Sequence, residues 1–286
     1  MRIAVVQFQV DDRSQEFNWL RMEEYMAAAS KKKADLIVFP ECFLGGFSKP
    51  DFGATENVGQ KISALARKYQ IDLVPGSIYE RDPEDGHIYN TTYYVDKDGS
   101  ILLQYRKVHL WIPERERVSQ GNLGFGTATN RFGIVVGLCL CWDLNFPEGF
   151  RQMALESRAQ LIIVPAYWSF EDAGKTGMEH DPMSEVKFVD SMCTSRAFEN
   201  EICLVFCNAA HLSSIKRPLP SNSIPIGHSQ ITVPFKGPVV RCDHSTEEMI
   251  LADVDIKSLT QDAEDAYWVR KDWDNGYIYG RHHSKL

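Results

Sequence analysis

The chain lacks the basic surface, long apolar runs and phosphate-binding loops that mark several common classes of protein. Its 286 residues carry 31 lysines and arginines against 39 aspartates and glutamates, a formal net charge of −8. A nucleic-acid-binding protein needs a basic stripe, so we expect no nucleic-acid partner. No apolar run is long enough to span a membrane, and we expect no membrane partner. No G-x-G-x-x-G follows the first predicted strand and there is no P-loop, so nothing supports a nucleotide cofactor.

The seven cysteines occur without the spacing of a disulfide framework or a zinc site. Their number is odd, and Met1–Val6 runs straight into a predicted strand with no secretory signal. Cys139 and Cys141 are spaced C-x-C, and no set of cysteines and histidines has zinc-ligand spacing. We therefore predict free thiols in a reducing compartment, no metal and no cofactor.

Predicted strands and helices alternate through both halves of the chain. The first half gives strands at Ile3–Phe8, Asp35–Pro40 and Ile71–Ser77, helices around Trp19–Ala29 and Ile62–Tyr69, and a hairpin of Thr91–Val95 with Ile101–Tyr105. The second half gives strands at Phe132–Leu140, Ala159–Pro165 and Ile202–Asn208, helices at Phe146–Ser157 and Val189–Glu199, a hairpin of Ser229–Val233 with Val239–Cys242, and a last strand at Met249–Val254. No linker interrupts them, so we predict a single domain over residues 1–286.

This pattern is compatible with two architectures. One is a four-layer α-β-β-α sandwich, in which two mixed sheets pack together and helices cover the outer faces. The other is a doubly wound three-layer fold. Periodicity alone does not separate them, although the two similar halves favour the sandwich.

Three reactive side chains follow buried apolar strands, where α/β proteins place their sites. Glu41 follows the apolar run that ends in Phe39-Pro40, and partial desolvation there would suit it to proton transfer. Lys107 lies among alternating apolar residues, either on a solvated strand face or directed into a pocket to stabilise an oxyanion. Cys141 ends a strand before a turn and a helix, as in a nucleophile elbow. Taken alone, Glu41 is better explained as a solvated charge, and Lys107 alone is only weak evidence for a site. The alternative of a small buried hydrophobe suits Cys141 less well.

Together the three segments resemble the motifs of the nitrilase superfamily of carbon–nitrogen hydrolases. Phe39-Pro40-Glu41 resembles the glutamate motif, Tyr105–Leu110 the lysine motif, and Cys141-x-Asp143-x-x-Phe146-Pro147-Glu148 the cysteine motif, in the family's order. The resemblance covers nearly the whole chain. It implies the four-layer α-β-β-α sandwich and a Glu41-Lys107-Cys141 triad that needs no metal or cofactor.

The resemblance also implies a second glutamate that positions substrate and lysine. Glu114 matches best and Glu116 competes with it. We further expect the backbone N–H of Trp142 to bind the oxyanion, and Tyr167, Trp168 and Phe47 to line the substrate pocket. The polar segment from Ser169 to Asp190 is either a lid or specificity loop or a plain surface insertion.

The expected reaction is hydrolysis of a non-peptide carbon–nitrogen bond in a small amide through a cysteine thioester. Nitriles, N-carbamoyl compounds and acyl transfer to an amine remain alternatives, because the same residues would serve them. A Cys–His hydrolase using His109, His211 or His228 as base is a rival, and so is a silent binding protein on the same fold. The aromatic tail at 267–286 packs either on its own domain or, as the resemblance implies, on a partner in a homodimer or larger homo-oligomer.

The chain ends in Ser284-Lys285-Leu286, the peptide that the peroxisomal import receptor reads. We therefore expect a peroxisomal enzyme if the source is eukaryotic and a cytoplasmic one otherwise.

Overall fold

The computed structural model describes residues 1–12, 14–45, 58–211 and 223–277, which form two β-sheets with helices outside them. The strands are β1 (Arg2–Gln7), β2 (Leu36–Val38), β3 (Asp72–Val74), β4 (Ser77–Arg81), β5 (Ile88–Val95), β6 (Ile101–Arg106), β7 (Thr127–Thr129), β8 (Val135–Leu138), β9 (Leu161–Ala166), β10 (Cys203–Asn208), β11 (Gln230–Val233), β12 (Gly237–Arg241) and β13 (Glu248–Asp253). The α-helices are α1 (Gln15–Lys31), α2 (Val58–Tyr69), α3 (Pro147–Arg151), α4 (Gly174–His180), α5 (Ser184–Glu199), α6 (Ile256–Tyr267) and α7 (Val269–Asp274).

Each sheet has a parallel centre with antiparallel strands at its edges. The first sheet runs β13-β1-β2-β3-β5-β4, with β6 also paired to β5. The second sheet runs β12-β11-β10-β9-β8-β7. Strands β1, β2 and β3 are parallel, as are β8, β9 and β10. Functional side chains in α/β proteins commonly lie at the carboxyl ends of such parallel strands.

Three apolar clusters separate four layers. Val5 and Val38 of the first sheet lie in one buried cluster with Ile163 and Val205 of the second, so the two sheets pack face to face. A second cluster joins the outer face of the first sheet to α1 and α2, and a third joins the outer face of the second sheet to α3 and α5. The predicted four-layer α-β-β-α sandwich is therefore confirmed, and the three-layer alternative is wrong.

Several predicted boundaries differ from the structure for local reasons. The predicted strand Ile71–Ser77 divides into β3 and β4 because Gly76 turns the chain at φ +87°. The strand predicted at Phe132–Leu140 begins only at Val135, after a turn in which Gly133 has φ +67°. The helix predicted at Phe146–Ser157 is α-helical to Arg151 and continues as a π-helical turn. Periodicity does not register these single-residue changes of backbone conformation.

The segment from Ser169 to Asp190, expected to be either a lid or specificity loop or a plain surface insertion, is partly helical. It contains all of α4 and the first turns of α5, which starts five residues before the predicted Val189. Only residues 169–173 and 181–183 of this segment lie outside the helices. The stretch after Trp168 is thus a short turn leading into helices.

The described part of the C-terminal tail packs on its own chain. Arg270 of α7 is buried and donates to the carbonyl oxygen of Ala159 at 2.7 Å. Ser284-Lys285-Leu286 lies outside the described residues, and the single-domain boundary stays a prediction. Among the described helices, none is both long and apolar enough to cross a membrane.

Candidate active site

The three predicted catalytic side chains converge between the two sheets. Glu41 lies three residues after β2, Lys107 directly follows β6, and Cys141 follows β8 at the start of a 3₁₀ turn. The first two therefore come from the first sheet and Cys141 from the second. All three are buried, Lys107 to 1% exposure, so their charges and proton exchanges are screened from bulk water.

Hydrogen bonds from both sheets fix the backbone around Glu41. Its own N–H donates to the carbonyl oxygen of Ala166 at 3.3 Å, and the N–H of Tyr167 donates to Glu41 Oε2 at 3.0 Å. On the other side, Cys42 N–H donates to Ser77 Oγ at 3.0 Å. A Cβ at Gly76 would lie 1.8 Å from the carbonyl oxygen of Pro40, so only glycine permits this approach.

Lys107 is held between two carboxylates. Its Nζ lies 2.8 Å from Glu41 Oε1 and 2.6 Å from Glu114 Oε2. Of the two residues proposed as second glutamate, Glu114 is buried and makes this contact, whereas Glu116 is exposed. The two ion pairs leave the ammonium little rotational freedom, and Lys107 lines the same cavity as Cys141.

Three residues that the sequence analysis did not single out complete the carboxylate environment. Asn90 Nδ2 donates to Glu41 Oε1 at 2.9 Å and to Glu114 Oε1 at 3.0 Å. Tyr79 OH donates to Glu114 Oε1 at 3.3 Å, and Trp111 N–H donates to Glu114 Oε2 at 2.8 Å. Nothing local in the sequence indicates that Asn90 bridges two glutamates.

The turn that carries Cys141 has an unusual backbone. Cys141 has φ +44°, a left-handed conformation that costs a non-glycine residue about 1–3 kcal/mol and is typical of functional turns. Asp143 fixes the turn: its Oδ2 accepts Leu140 N–H at 2.9 Å and Tyr105 OH at 2.7 Å. Because Tyr105 belongs to β6, the cysteine turn is tied directly to the strand that precedes Lys107.

This turn also supplies a candidate oxyanion donor. The N–H of Asp143 donates to the carbonyl oxygen of Leu140, which is the first hydrogen bond of the 3₁₀ turn. Trp142 is one residue earlier in the chain than Asp143, and its N–H has no acceptor within the turn. Its position immediately after Cys141 agrees with the predicted oxyanion role, which stays a prediction.

The catalytic side chains line a small cavity. Its described lining consists of Glu41, Lys107, Trp111, Cys141, Trp142, Tyr167, Trp168 and Asp172. Tyr167 and Trp168 were expected there, whereas Trp111 and Asp172 were not. Phe47, the remaining predicted pocket residue, lies outside the described residues.

Comparisons with known proteins agree with this geometry. The sequence model of the carbon–nitrogen hydrolase family matches residues 2–264. The chain belongs to the carbon–nitrogen hydrolase family. It is 30% identical to omega-amidase NIT3 of Saccharomyces cerevisiae, over 89% of this chain and 87% of that protein.

Solved structures show the same fold. The crystal structure of Saccharomyces cerevisiae Nit3, a member of branch 10 of the nitrilase superfamily, superposes with a TM-score of 0.76 at 26% identity, covering 93% of each chain. A carbon–nitrogen hydrolase from Helicobacter pylori gives a TM-score of 0.81 at 22% identity, covering 98% of each chain. The match to the family model and the 30% identity to the yeast protein confirm the predicted family and the predicted enzyme class.

The electrostatics of this carbon–nitrogen hydrolase favour a protonated thiol beside charged partners. Burial raises the pKa of Cys141 well above its ordinary value; the carboxylate of Glu41 raises it further, and Lys107 opposes both. Burial likewise raises the pKa of Glu41 despite its contact with Lys107. Burial would lower the pKa of Lys107, but the charges of Glu114 and Glu41 outweigh it, so the net pKa is raised. The ammonium therefore stays charged.

The histidines proposed for a Cys–His mechanism do not line this cavity in its described part. His109 stacks on Phe146 with ring centroids 3.8 Å apart, and its Nδ1 lies 2.9 Å from Asp143 Oδ1. His228 Nδ1 lies 3.4 Å from Asp190. Their partners are structural carboxylates, so the geometry favours Glu41 over a histidine as the base for Cys141.

A separate group of side chains has the chemistry of metal ligands. One ligand atom each from Cys242, His244 and Glu248 lie within 4.8 Å of one another. His244 and Glu248 are exposed and bond to each other at 2.9 Å. None of the three lines the catalytic cavity as described, so the group has no part in the chemistry at Cys141.

Proposed function

We propose that this enzyme hydrolyses small primary amides to the carboxylic acid and ammonia, through a thioester on Cys141. The observation that carries the proposal is the buried ammonium of Lys107, held by Glu41 and Glu114 beside a thiol at a strained strand end. This arrangement provides a nucleophile, a base and a fixed positive charge within one small cavity.

In the first half-reaction Glu41 accepts the thiol proton as Cys141 Sγ attacks the amide carbon. A protonated resting thiol with an adjacent carboxylate suits this concerted transfer, because free thiolate would be repelled by Glu41. Lys107 and the Trp142 N–H stabilise the oxyanion; one such donor is typically worth about 3 kcal/mol. Glu41 then passes its proton to the amide nitrogen, the carbon–nitrogen bond breaks, and ammonia leaves.

In the second half-reaction water hydrolyses the thioester. Glu41, again deprotonated, accepts a proton from the water as its oxygen attacks the carbonyl carbon. The tetrahedral intermediate forms in the same oxyanion site. When it collapses, the carbon–sulfur bond breaks, and the proton held by Glu41 returns to Cys141 Sγ. The carboxylic acid leaves, and the enzyme regains its starting state without metal or cofactor.

We propose an amide as the substrate, rather than a nitrile or an N-carbamoyl compound, because of what the related proteins hydrolyse. The yeast protein at 30% identity is an omega-amidase. The small cavity agrees with a short acyl chain. Acyl transfer to an amine would use the same thioester and differs only in the acceptor.

Ammonia release from a panel of small amides, nitriles and N-carbamoyl amino acids tests this proposal. We expect amides to be turned over by the wild type and Cys141→Ala to lose all detectable turnover. Cys139→Ala is the matched control, because Cys139 is also a buried cysteine and does not belong to the described lining of the cavity. Turnover that survives in Cys141→Ala, or ammonia from nitriles alone, would contradict the proposal.

Two further proposals concern the whole enzyme. It forms a homodimer or larger homo-oligomer, supported by the exposed rings of Phe235 and Tyr267, which stack 5.2 Å apart beside the exposed Trp268. It is imported into peroxisomes if its source is eukaryotic, supported by Ser284-Lys285-Leu286 at the end of the sequence.

A further inference from the structure

Asp172 is a cavity-lining carboxylate that takes no part in the ion pairs of Lys107. It lies in the turn between β9 and α4 and is half-buried. Its Oδ2 accepts the N–H of Ser169 at 2.9 Å, and its own N–H donates to the carbonyl oxygen of Ser169 at 3.3 Å. These bonds fix the turn, while Oδ1 has no hydrogen-bond partner among the described residues.

The surroundings of Asp172 are acidic. Lys107 is the one cation in the described lining of the cavity, and Glu41 and Glu114 already neutralise it. Burial and, to a smaller extent, the nearby charges of Glu185, Glu171 and Glu41 raise the pKa of Asp172 to about 7, although the N–H of Ser169 lowers it. The described lining therefore contains an unpaired acid and no cation free to neutralise it.

A ligand's charge decides whether it fits such a site. An ammonium group would pair with Asp172 and restore neutrality in a region with little water. A carboxylate would meet a like charge, which costs free energy unless a proton is taken up. Tyr167 and Trp168, the aromatic residues between β9 and Asp172, can pack against the aliphatic part of the same ligand.

We propose that Asp172 binds a cationic group, such as a primary ammonium, at the far end of the amide's acyl chain. This inference rests on the proposed function, since it assumes an amide at Cys141. It assigns Asp172 as a specificity residue that selects amino-substituted short-chain amides over neutral amides and over monoamides of dicarboxylic acids.

The test compares kcat/KM of the purified full chain on three amides of similar length: γ-aminobutyramide, pentanamide and succinamic acid. Their distal groups are an ammonium, a methyl and a carboxylate. We expect kcat/KM for γ-aminobutyramide to exceed kcat/KM for pentanamide by at least about tenfold, which is the effect of one charge-assisted hydrogen bond. Succinamic acid should be the poorest substrate of the three.

Asp172→Asn keeps an acceptor for Ser169 N–H and removes the charge. We expect the ratio of kcat/KM for γ-aminobutyramide to that for pentanamide to fall by about tenfold. The ratio for succinamic acid to pentanamide should rise. Glu179→Gln is the matched control, since Glu179 is an exposed carboxylate of α4, and it should leave both ratios as in the wild type.

The outcomes separate this inference from the proposed function. If pentanamide is hydrolysed and Cys141→Ala abolishes it, but succinamic acid is the best wild-type substrate, the role of Asp172 is wrong and the amidase stands. The same conclusion holds if Asp172→Asn lowers kcat/KM equally for all three substrates, as expected if the role of Asp172 is purely structural. If the wild type hydrolyses none of the three amides, the proposed function fails and the inference with it.

Discussion

At the scale of single residues, the pKa of Cys141 is set by two opposing neighbours. Glu41 raises it and Lys107 lowers it, while burial disfavours the thiolate altogether. The same Glu41 is the proposed base. The residue that removes the proton during catalysis is thus also one that keeps the resting thiol protonated, which protects it from adventitious alkylation.

Glu41→Gln should therefore move thiol reactivity and turnover in opposite directions. Removing the carboxylate removes the repulsion of the thiolate and leaves the attraction of Lys107, so the pKa of Cys141 falls. The rise of iodoacetamide alkylation with pH should then begin at lower pH than in the wild type. Amide turnover should drop by about 10²–10⁴-fold, the usual contribution of a general base.

Glu116→Gln is the control for this experiment, because Glu116 is exposed and Glu114, not Glu116, contacts Lys107. It should leave the alkylation profile and turnover as in the wild type. An alkylation profile of Glu41→Gln that shifts to higher pH would show that Glu41 favours the thiolate, contrary to the charges in the site.

At the scale of elements, the site depends on turns that follow buried strands. Cys42 and Cys141 both have left-handed backbone conformations, with φ of +56° and +44°. The chain must leave the sheet sharply at these points so that Glu41 and Cys141 enter the cavity. The turn at Gly76 supports the first of them, because it packs directly on the carbonyl oxygen of Pro40.

Gly76→Ala and Gly86→Ala separate steric contact from backbone strain. Both glycines have positive φ, +87° and +72°, but a Cβ at Gly86 meets nothing within 4 Å. We expect Gly86→Ala to lower the free energy of unfolding by about 1 kcal/mol. Gly76→Ala should lower the free energy of unfolding by about 1–3 kcal/mol more than Gly86→Ala does, because its Cβ clashes with Pro40. It should also reduce kcat, because the clash displaces Glu41. Urea denaturation measures both, and equal losses would contradict this account.

At the scale of the whole molecule, the two sheets contribute different parts of one site. Glu41 and Lys107 come from the first sheet, Cys141 and Tyr167 from the second. Direct bonds cross between them: Tyr105 OH to Asp143, and Tyr167 N–H to Glu41. The chemistry therefore requires the two halves of the sandwich to keep a fixed relative position, which the apolar cluster between them maintains.

The proposed homo-oligomer can be tested at this scale by light scattering. The chain has a mass of 32.6 kDa, and we expect the enzyme in solution to have at least twice that mass. Tyr267→Glu places a charge on the exposed aromatic surface of Phe235, Tyr267 and Trp268, and should lower the measured mass to that of one chain. Phe17→Glu is the control, because Phe17 is equally exposed, at 45%, on α1. A wild-type mass of one chain would contradict the proposal.

The sequence by itself determined the buried strands, the helices between them and the three reactive side chains that follow strands. These features are local, because a strand's apolar run and the residue after it are neighbours in the chain. The sequence did not determine whether the layers number three or four, since periodicity shows that a face is buried but not what covers it. Only the tertiary structure decided that.

The tertiary structure also decided which polar groups meet. The contact with Lys107 distinguishes Glu114 from Glu116 as the second glutamate. Asn90, Tyr79 and Asp172 were recognised as parts of the site only from their positions in the folded chain. Asn90 and Glu41 are 49 residues apart yet bond at 2.9 Å. Such contacts arise when separate strands pack side by side, and no local spacing in the chain encodes them.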